Sequence, residues 1–302
     1  MHWKAAANGC DYLYSTTRRR ERSLGVRSPE TEAIFNAHAD RLSTLKDRLK
    51  HIRSALNKTV RVSKALYLGR MPSIAARILR RLDDTGLLDA GLVVVGTNAL
   101  FAYEAATGVL FDEPLIATED LDLLWDPRRR LSLLLTEAQA PGVIALLKRV
   151  DRSFRKTRPY QIVNDDSYLV DLIRPPGKHE MFIASPRPSM DDEDFEPAAI
   201  AGLSWLVNAP KYDEIAIAQD GMPVRIRTID PRAYALHKLW LSHQPNRKAI
   251  KTARDLLQAR AVAAVAIDWL SLSFDANDLT ALPTELMAGV AELTATRQME
   301  PP

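Results

Sequence analysis

Residues 117–126 read ATEDLDLLWD and set two carboxylates two positions apart inside an apolar run. Leu121, Leu123, Leu124 and Trp125 predict a β-strand, in which side chains i and i+2 share a face roughly 7 Å apart. Asp120 and Asp122 then point one way, and Glu119 and Leu121 the other. Burying a single unpaired charge costs several kcal/mol, and two facing carboxylates add their repulsion. A bound cation replaces the lost hydration and removes the repulsion together. A second apolar strand, YLVDLIRP, carries Asp171 and poses the same problem. Mg²⁺ takes oxygen ligands, usually one or two protein carboxylates completed by phosphates and water. A third acid on a neighbouring strand can hold a second ion roughly 3.5–4 Å from the first. Asp120, Asp122 and Asp171 are therefore the candidate metal ligands. Asp126 shares the parity of the pair but lies past the strand, before Pro127, and is left out.

The surrounding sequence points to phosphate. GLVVVGT is a β-branched run that ends in Gly96-Thr97 at the mouth of a helix, where backbone N–H groups and the helix dipole favour an anion. Downstream, Lys238 in LHKLW is followed one helix later by Arg247 and Lys248, cations able to meet a triphosphate. His237 reads as a helix-surface residue.

Together these segments resemble the nucleotidyltransferase superfamily of the DNA polymerase β type. Its pattern is a hydrophobic run with Gly and a small residue, then Asp-x-Asp on one strand and a third Asp on a later strand. VVVGTNAL, TEDLDLLW and YLVDLI supply these parts, and the likeness extends over about residues 90–260. Small bacterial and toxin-like members look most similar, through the Thr118 to Asp122 motif and through Lys238, Arg247 and Asp255 in the tail. The resemblance implies an enzyme that moves a nucleotide from an NTP to an acceptor hydroxyl, with two Mg²⁺ (Mn²⁺ as substitute) on Asp120, Asp122 and Asp171. It implies a nucleotide contact set of Gly96, Thr97, Asn98, Thr118, Lys238, Arg247 and Lys248, with Asp255 orienting a cation. Thr97 stands where Ser is more familiar. The gap before Asp120 is also long, so TGVLFDEPLIA is expected as a loop beside the nucleotide pocket.

The elements that must carry these residues follow from period and punctuation. Residues 1–26 read as irregular, with basic Arg18, Arg19, Arg20 and Arg22. Ser28 caps a long helix whose Leu42, Leu45, Leu49, Ile52 and Leu56 are spaced 3, 4, 3, 4, a heptad-like seam that fits packing on the chain's own body or a dimer through residues 28–60. A second helix begins at Pro72. Strands at 91–97 and 117–126 alternate with helices, a helix over about 141–150 leads to strands at 160–164 and 168–175 joined by the turn DDS, a hairpin turns at QDGMP, and helices fill 231–243 and 247–262. Residues 175–197 read as a loop whose DDED (191–194) is solvated surface. The expected class is α/β, of the α+β kind, with a mixed sheet flanked by helices. The expected organisation is a basic helical region 1–89, a catalytic core 90–230 and a helical region 231–302 completing the nucleotide site.

Composition bounds the rest. The 302 residues are 46% hydrophobic and 26% charged, as in ordinary globular proteins. The single cysteine, Cys10, excludes an internal disulfide framework and a thiolate metal cage, and no apolar run approaches a membrane span, so a cytoplasmic protein is expected. Residues 1–90 hold 18 Lys and Arg against 9 Asp and Glu, a net +9, whereas the remainder is net −6. A basic first third suits contacts to RNA, such as a tRNA-like acceptor. Proteins and small molecules are the other acceptors the resemblance implies. A non-catalytic nucleotide- or nucleic-acid-binding regulator on the same fold is the competing reading, and a toxin or defence role would use the same chemistry.

Overall fold

The computed structural model describes the chain except for residues 8, 18–19, 129–141, 177–196, 276 and 296–302. Arg18, Arg19 and the DDED segment thus lie outside the described residues. The chain divides into two compact units, Met1–Val62 and Ser63–Pro302.

The first unit is not irregular at its start. β1 (His2–Ala5), β2 (Asp11–Thr17) and β3 (Arg20–Val26) form an antiparallel sheet in the order β1-β2-β3. These strands are mostly polar and, among their described residues, Leu13 alone is buried, so the apolar alternation that announces a strand is missing. Trp3 packs on Phe35 at 5.7 Å between ring centres, and the Arg27 guanidinium lies 5.2 Å from the Trp3 ring. Helix α1 (Pro29–Ala65) follows, its first turn capped by the Ser28 hydroxyl, which accepts from the Thr31 N–H at 3.3 Å. The heptad-like seam of α1 is exposed: Leu42, Leu45, Leu49 and Ile52 are each more than two-fifths accessible.

The second unit carries a mixed sheet ordered β4 (Leu92–Val95), β5 (Asp120–Trp125), β8 (Leu169–Arg174), β7 (Gln161–Val163) and β6 (Arg155–Arg158), with β9 (Ala198–Ala199) also paired to β8. β5 and β8 are parallel, and β4, β7 and β6 run antiparallel to their neighbours. β10 (Lys211–Ile217) and β11 (Pro223–Ile229) make the expected hairpin. The class is mixed α/β, as read from the sequence. Helix α2 (Ser73–Asp84) buries Ala75, Ala76, Ile78, Leu79 and Leu82 in one core with the sheet and belongs to this unit. Arg80 locks it to the hairpin turn through two 2.8 Å bonds to Asp220. The Thr228 hydroxyl donates to the Val94 carbonyl at 2.8 Å and ties the hairpin to β4. No helix among the described residues is long and apolar enough to cross a membrane.

Between β4 and β5 the chain forms a short 3₁₀ turn (Gly96–Ala99), helix α3 (Leu100–Thr107) and a single-turn helix α4 (Glu113–Ile116). The TGVLFDEPLIA segment is thus anchored rather than an open loop. Gly108 ends α3 with φ +72°, a conformation that suits glycine at a helix C-terminus. Glu104, 5% exposed, accepts from the Phe111 N–H at 2.7 Å and from Arg70 at 2.9 Å, while Phe111 and Ile116 enter the core. Replacing Glu104 by Ala strands a partly buried guanidinium and a buried N–H, so Glu104→Ala is expected to lose about 2–4 kcal/mol in urea unfolding. A loss under about 1 kcal/mol would show that this anchor does not hold the segment.

Candidate active site

The sheet register brings the three carboxylates together. β5 and β8 pair so that Asp122 lies directly beside Asp171, and Asp120 sits two residues before Asp122 on the same face. On the other side, Asp122 is paired with Val95, the residue before Gly96. Gly96 has φ +67°, and a Cβ there would stand 2.2 Å from Asp122 Oδ2. Only glycine satisfies both the turn and the carboxylate.

Electrostatics records the crowding. Burial, reinforced by Asp120 and Asp171, pushes the Asp122 carboxyl up to about 7, against the pull of Lys238 and Lys251. Burial also raises Asp171; a hydrogen bond from Gln161 offsets part of that rise, and Asp120 adds to it. Asp171 Oδ1 is buried with no hydrogen-bond partner among the described residues. The shoulders of Asp120 are fenced: Thr118 bonds its carboxylate through the hydroxyl, Asn98 Nδ2 donates to its carbonyl at 2.6 Å, and Tyr168 reaches the same carbonyl at 3.4 Å.

An orphaned carboxylate oxygen beside two further carboxylates fits a hard divalent cation such as Mg²⁺. Among the described residues no three acidic, imidazole or thiolate side chains close into a metal cage of their own.

The cations lie on one helix and in the connection that follows it. Lys238, on the helix Pro231–Ser242, is buried and bonds Asp255 Oδ1 at 2.8 Å, and Arg247 bonds Asp255 Oδ2 at 2.7 Å through Nε. Asp255 thus holds both cations, where the sequence led to the expectation that it orients one. The Lys238 charge still reaches Asp122. Lys248 is exposed and precedes the helix Ala249–Asp268, where its carbonyl accepts from Lys251 and Thr252 at 2.9 Å; the side chain is not drawn into the acidic cluster. His237 is not on the surface: it is buried against Trp205 and Trp240, its Nδ1 has no partner among the described residues, and burial pushes it down to about 3. Asp126 is occupied by Arg128 at 2.8 Å, outside the cluster.

Three residues escaped the sequence reading. Lys251 draws down both Asp122 and Asp171. Arg254 donates to the Thr97 hydroxyl at 3.1 Å and to the Ala117 carbonyl at 3.0 Å. Gln258 reaches the Leu115 carbonyl at 2.6 Å and Thr97 at 3.4 Å. The Thr97 side chain is consequently clasped by this helix. The three lie at i, i+3 and i+7, one polar stripe on a helix, and that stripe was the available signal.

An acid with a folded value near 7 against about 3.9 unfolded binds its proton more tightly in the fold, so its contribution to stability is present below about pH 4 and falls as pH rises to about 7. Asp122→Asn keeps the shape without the charge. It is expected to unfold at higher urea than the parent at pH 8 in chelator, by of order 1–3 kcal/mol, and to flatten the pH dependence between 4 and 7. Equal stability at pH 8 would remove the strained-carboxylate account. Gly96→Ala is expected to lose of order 1–3 kcal/mol in the same assay, with wild-type stability as the contrary outcome.

The model of a protein family described as Nucleotidyltransferase matches residues 73–283, well over half the chain. No curated protein and no solved structure gives a significant match. The family match covers β4, β5, β8, the hairpin and both cationic helices, and the chain belongs to this nucleotidyltransferase family.

Proposed function

We propose that the chain is a divalent-metal-dependent enzyme that moves a nucleotide from an NTP to an acceptor hydroxyl and releases pyrophosphate. Family membership supports nucleotidyl transfer in general. The observation that carries the finer reading is the register of Asp122 with Asp171 on neighbouring parallel strands, with Asp120 on the same face and an orphaned Asp171 Oδ1. Asp120, Asp122 and Asp171 would hold Mg²⁺, or Mn²⁺ in its place. When bound, the ions would neutralise triphosphate charge and make the acceptor hydroxyl more acidic.

The chain's own groups take the remaining work. Gly96, Thr97 and Asn98 present backbone N–H groups to phosphate oxygens, with Arg254 and Gln258 fixing the turn and Asn98 and Thr118 fixing Asp120. Lys251 offers a charge to the triphosphate from the helix that also clasps the turn, with Arg247 and Lys248 at its approach and Lys238 acting from behind Asp255. Asp171, whose carboxyl is raised by burial, accepts the acceptor's proton. The acceptor oxygen bonds to the α-phosphorus, the bond to the bridging oxygen breaks, and its electron pair leaves with pyrophosphate. The order read along the chain assigns a basic region 1–89 to RNA contact, 90–230 to the carboxylates and 231–302 to the cations.

The test is incubation of purified protein with each α-labelled NTP, Mg²⁺ and total RNA or lysate. Label should move to an acceptor, and Asp120→Ala/Asp122→Ala should lower transfer by at least about 10³-fold. Transfer that survives the double substitution would reject the site. Binding of NTP without label transfer under any metal would favour a non-catalytic regulator.

A further inference from the structure

The acidic pair is the middle of a longer row. Across the sheet, Asp122 pairs with Asp171, Asp171 with Gln161, and Gln161 with Arg158. Directly paired residues in a sheet stand side by side on one face, with strands about 4.8 Å apart. One face therefore presents two carboxylates and an amide, and Arg158 joins the row across a register shift in the β6–β7 pairing between Lys156 and Arg158. Arg158 lies two strand spacings, about 10 Å, beyond Asp171.

This end of the row is built. Arg158 and Gln161 flank the two-residue turn Pro159-Tyr160, and Arg158 Nη1 donates to the Tyr160 hydroxyl at 3.0 Å. The Tyr160 carbonyl accepts from the Leu172 N–H at 2.9 Å, which pins the hairpin tip to β8 one residue past Asp171. β6 is exposed along all its residues, and three of its four are basic: Arg155, Lys156 and Arg158. The cations sort by acid. Lys238 acts on Asp122 and Arg158, on β6, acts on Asp171, while Lys251 reaches both acids.

We infer that the tip of the β6–β7 hairpin, through Arg158 and Tyr160, seats the acceptor beside Asp171, and that this acceptor is a polynucleotide 3′ end. The inference rests on the transfer reading above and deepens it. A planar guanidinium held by a phenol, one amide away from the carboxylate that faces the acceptor hydroxyl, suits a phosphate fixed near that hydroxyl. A polynucleotide brings such a phosphate at every residue, and a protein hydroxyl brings none. Tyr160, half-buried at the turn, supplies an aromatic surface for the terminal base.

The experiment measures binding of a fluorescein-labelled RNA 12-mer with a free 3′ hydroxyl by anisotropy, in Mg²⁺ without NTP, over a salt series. Arg158→Gln is expected to weaken RNA binding by about fivefold or more and to reduce the salt slope by about one, with Arg158→Lys restoring most of the affinity. Tyr160→Phe, which removes only the hydroxyl anchor, should act in the same direction by about two- to threefold. In turnover, Arg158→Gln should raise KM for RNA and leave KM for NTP within about twofold, whereas Lys251→Gln should do the reverse. Unchanged RNA affinity in Arg158→Gln, or a defect confined to NTP, would overturn the acceptor seat. The binding readout needs no turnover, so a wild-type protein that transfers no label rejects the transfer reading separately. Wild-type transfer with RNA-indifferent Arg158→Gln rejects only the seat.

Discussion

Mutual repulsion among Asp120, Asp122 and Asp171 is the constraint around which the second unit is arranged. Nothing in an apolar sheet favours three acids on one face, yet the parallel pairing of β5 and β8 sets two of them side by side. The cost is met by the opposite face, where Leu121, Leu123, Val170 and Leu172 are almost wholly buried and leave the strands no other register. A one-residue slip would turn the acids into the core and the leucines out. The strain is thus held by hydrophobic burial elsewhere, a pattern common at functional sites.

The positive charge answering these acids is distributed unevenly. Lys238 and Arg247 are committed to Asp255, so their contribution to the cluster is a field rather than a contact. Lys251 lies one turn before Asp255 and faces the acids without such an intermediary in the described structure. The helix Ala249–Asp268 is therefore both a source of charge and the strut that fixes the Gly96 turn, through Arg254 and Gln258. Charge and position are coupled in one element, and a rotation of that helix would disturb both.

Much of this was legible in the residues. The β-branched run at Leu92–Val95 closed by Gly96-Thr97, the paired acids on β5 and the hairpin strands either side of QDGMP each carry a strand signal in the residues themselves. The polar strands β1–β3 and the exposed β6 carry no such period, because their stability comes from pairing and a few aromatic contacts rather than from burial. The carboxylates stood out because acids in an apolar strand are anomalous. Lys251, Arg254 and Gln258 did not, because polar residues on a helix are ordinary until the partner surface is known. The same ambiguity hid His237, which sits on a helix whose two sides are both buried.

The clasp on Thr97 spans a long stretch of chain, since its partners Arg254 and Gln258 lie 157 and 161 residues further on. Both strands bearing the carboxylates are complete by Arg174. During synthesis the acids are thus present some eighty residues before the helix that holds the neighbouring turn. Loop closure over that separation is slow relative to local helix formation, so the turn is the last part of the cluster to be secured. Assembly of the site then waits on the helix Ala249–Asp268: a shorter partial product carries the acids but not the held turn.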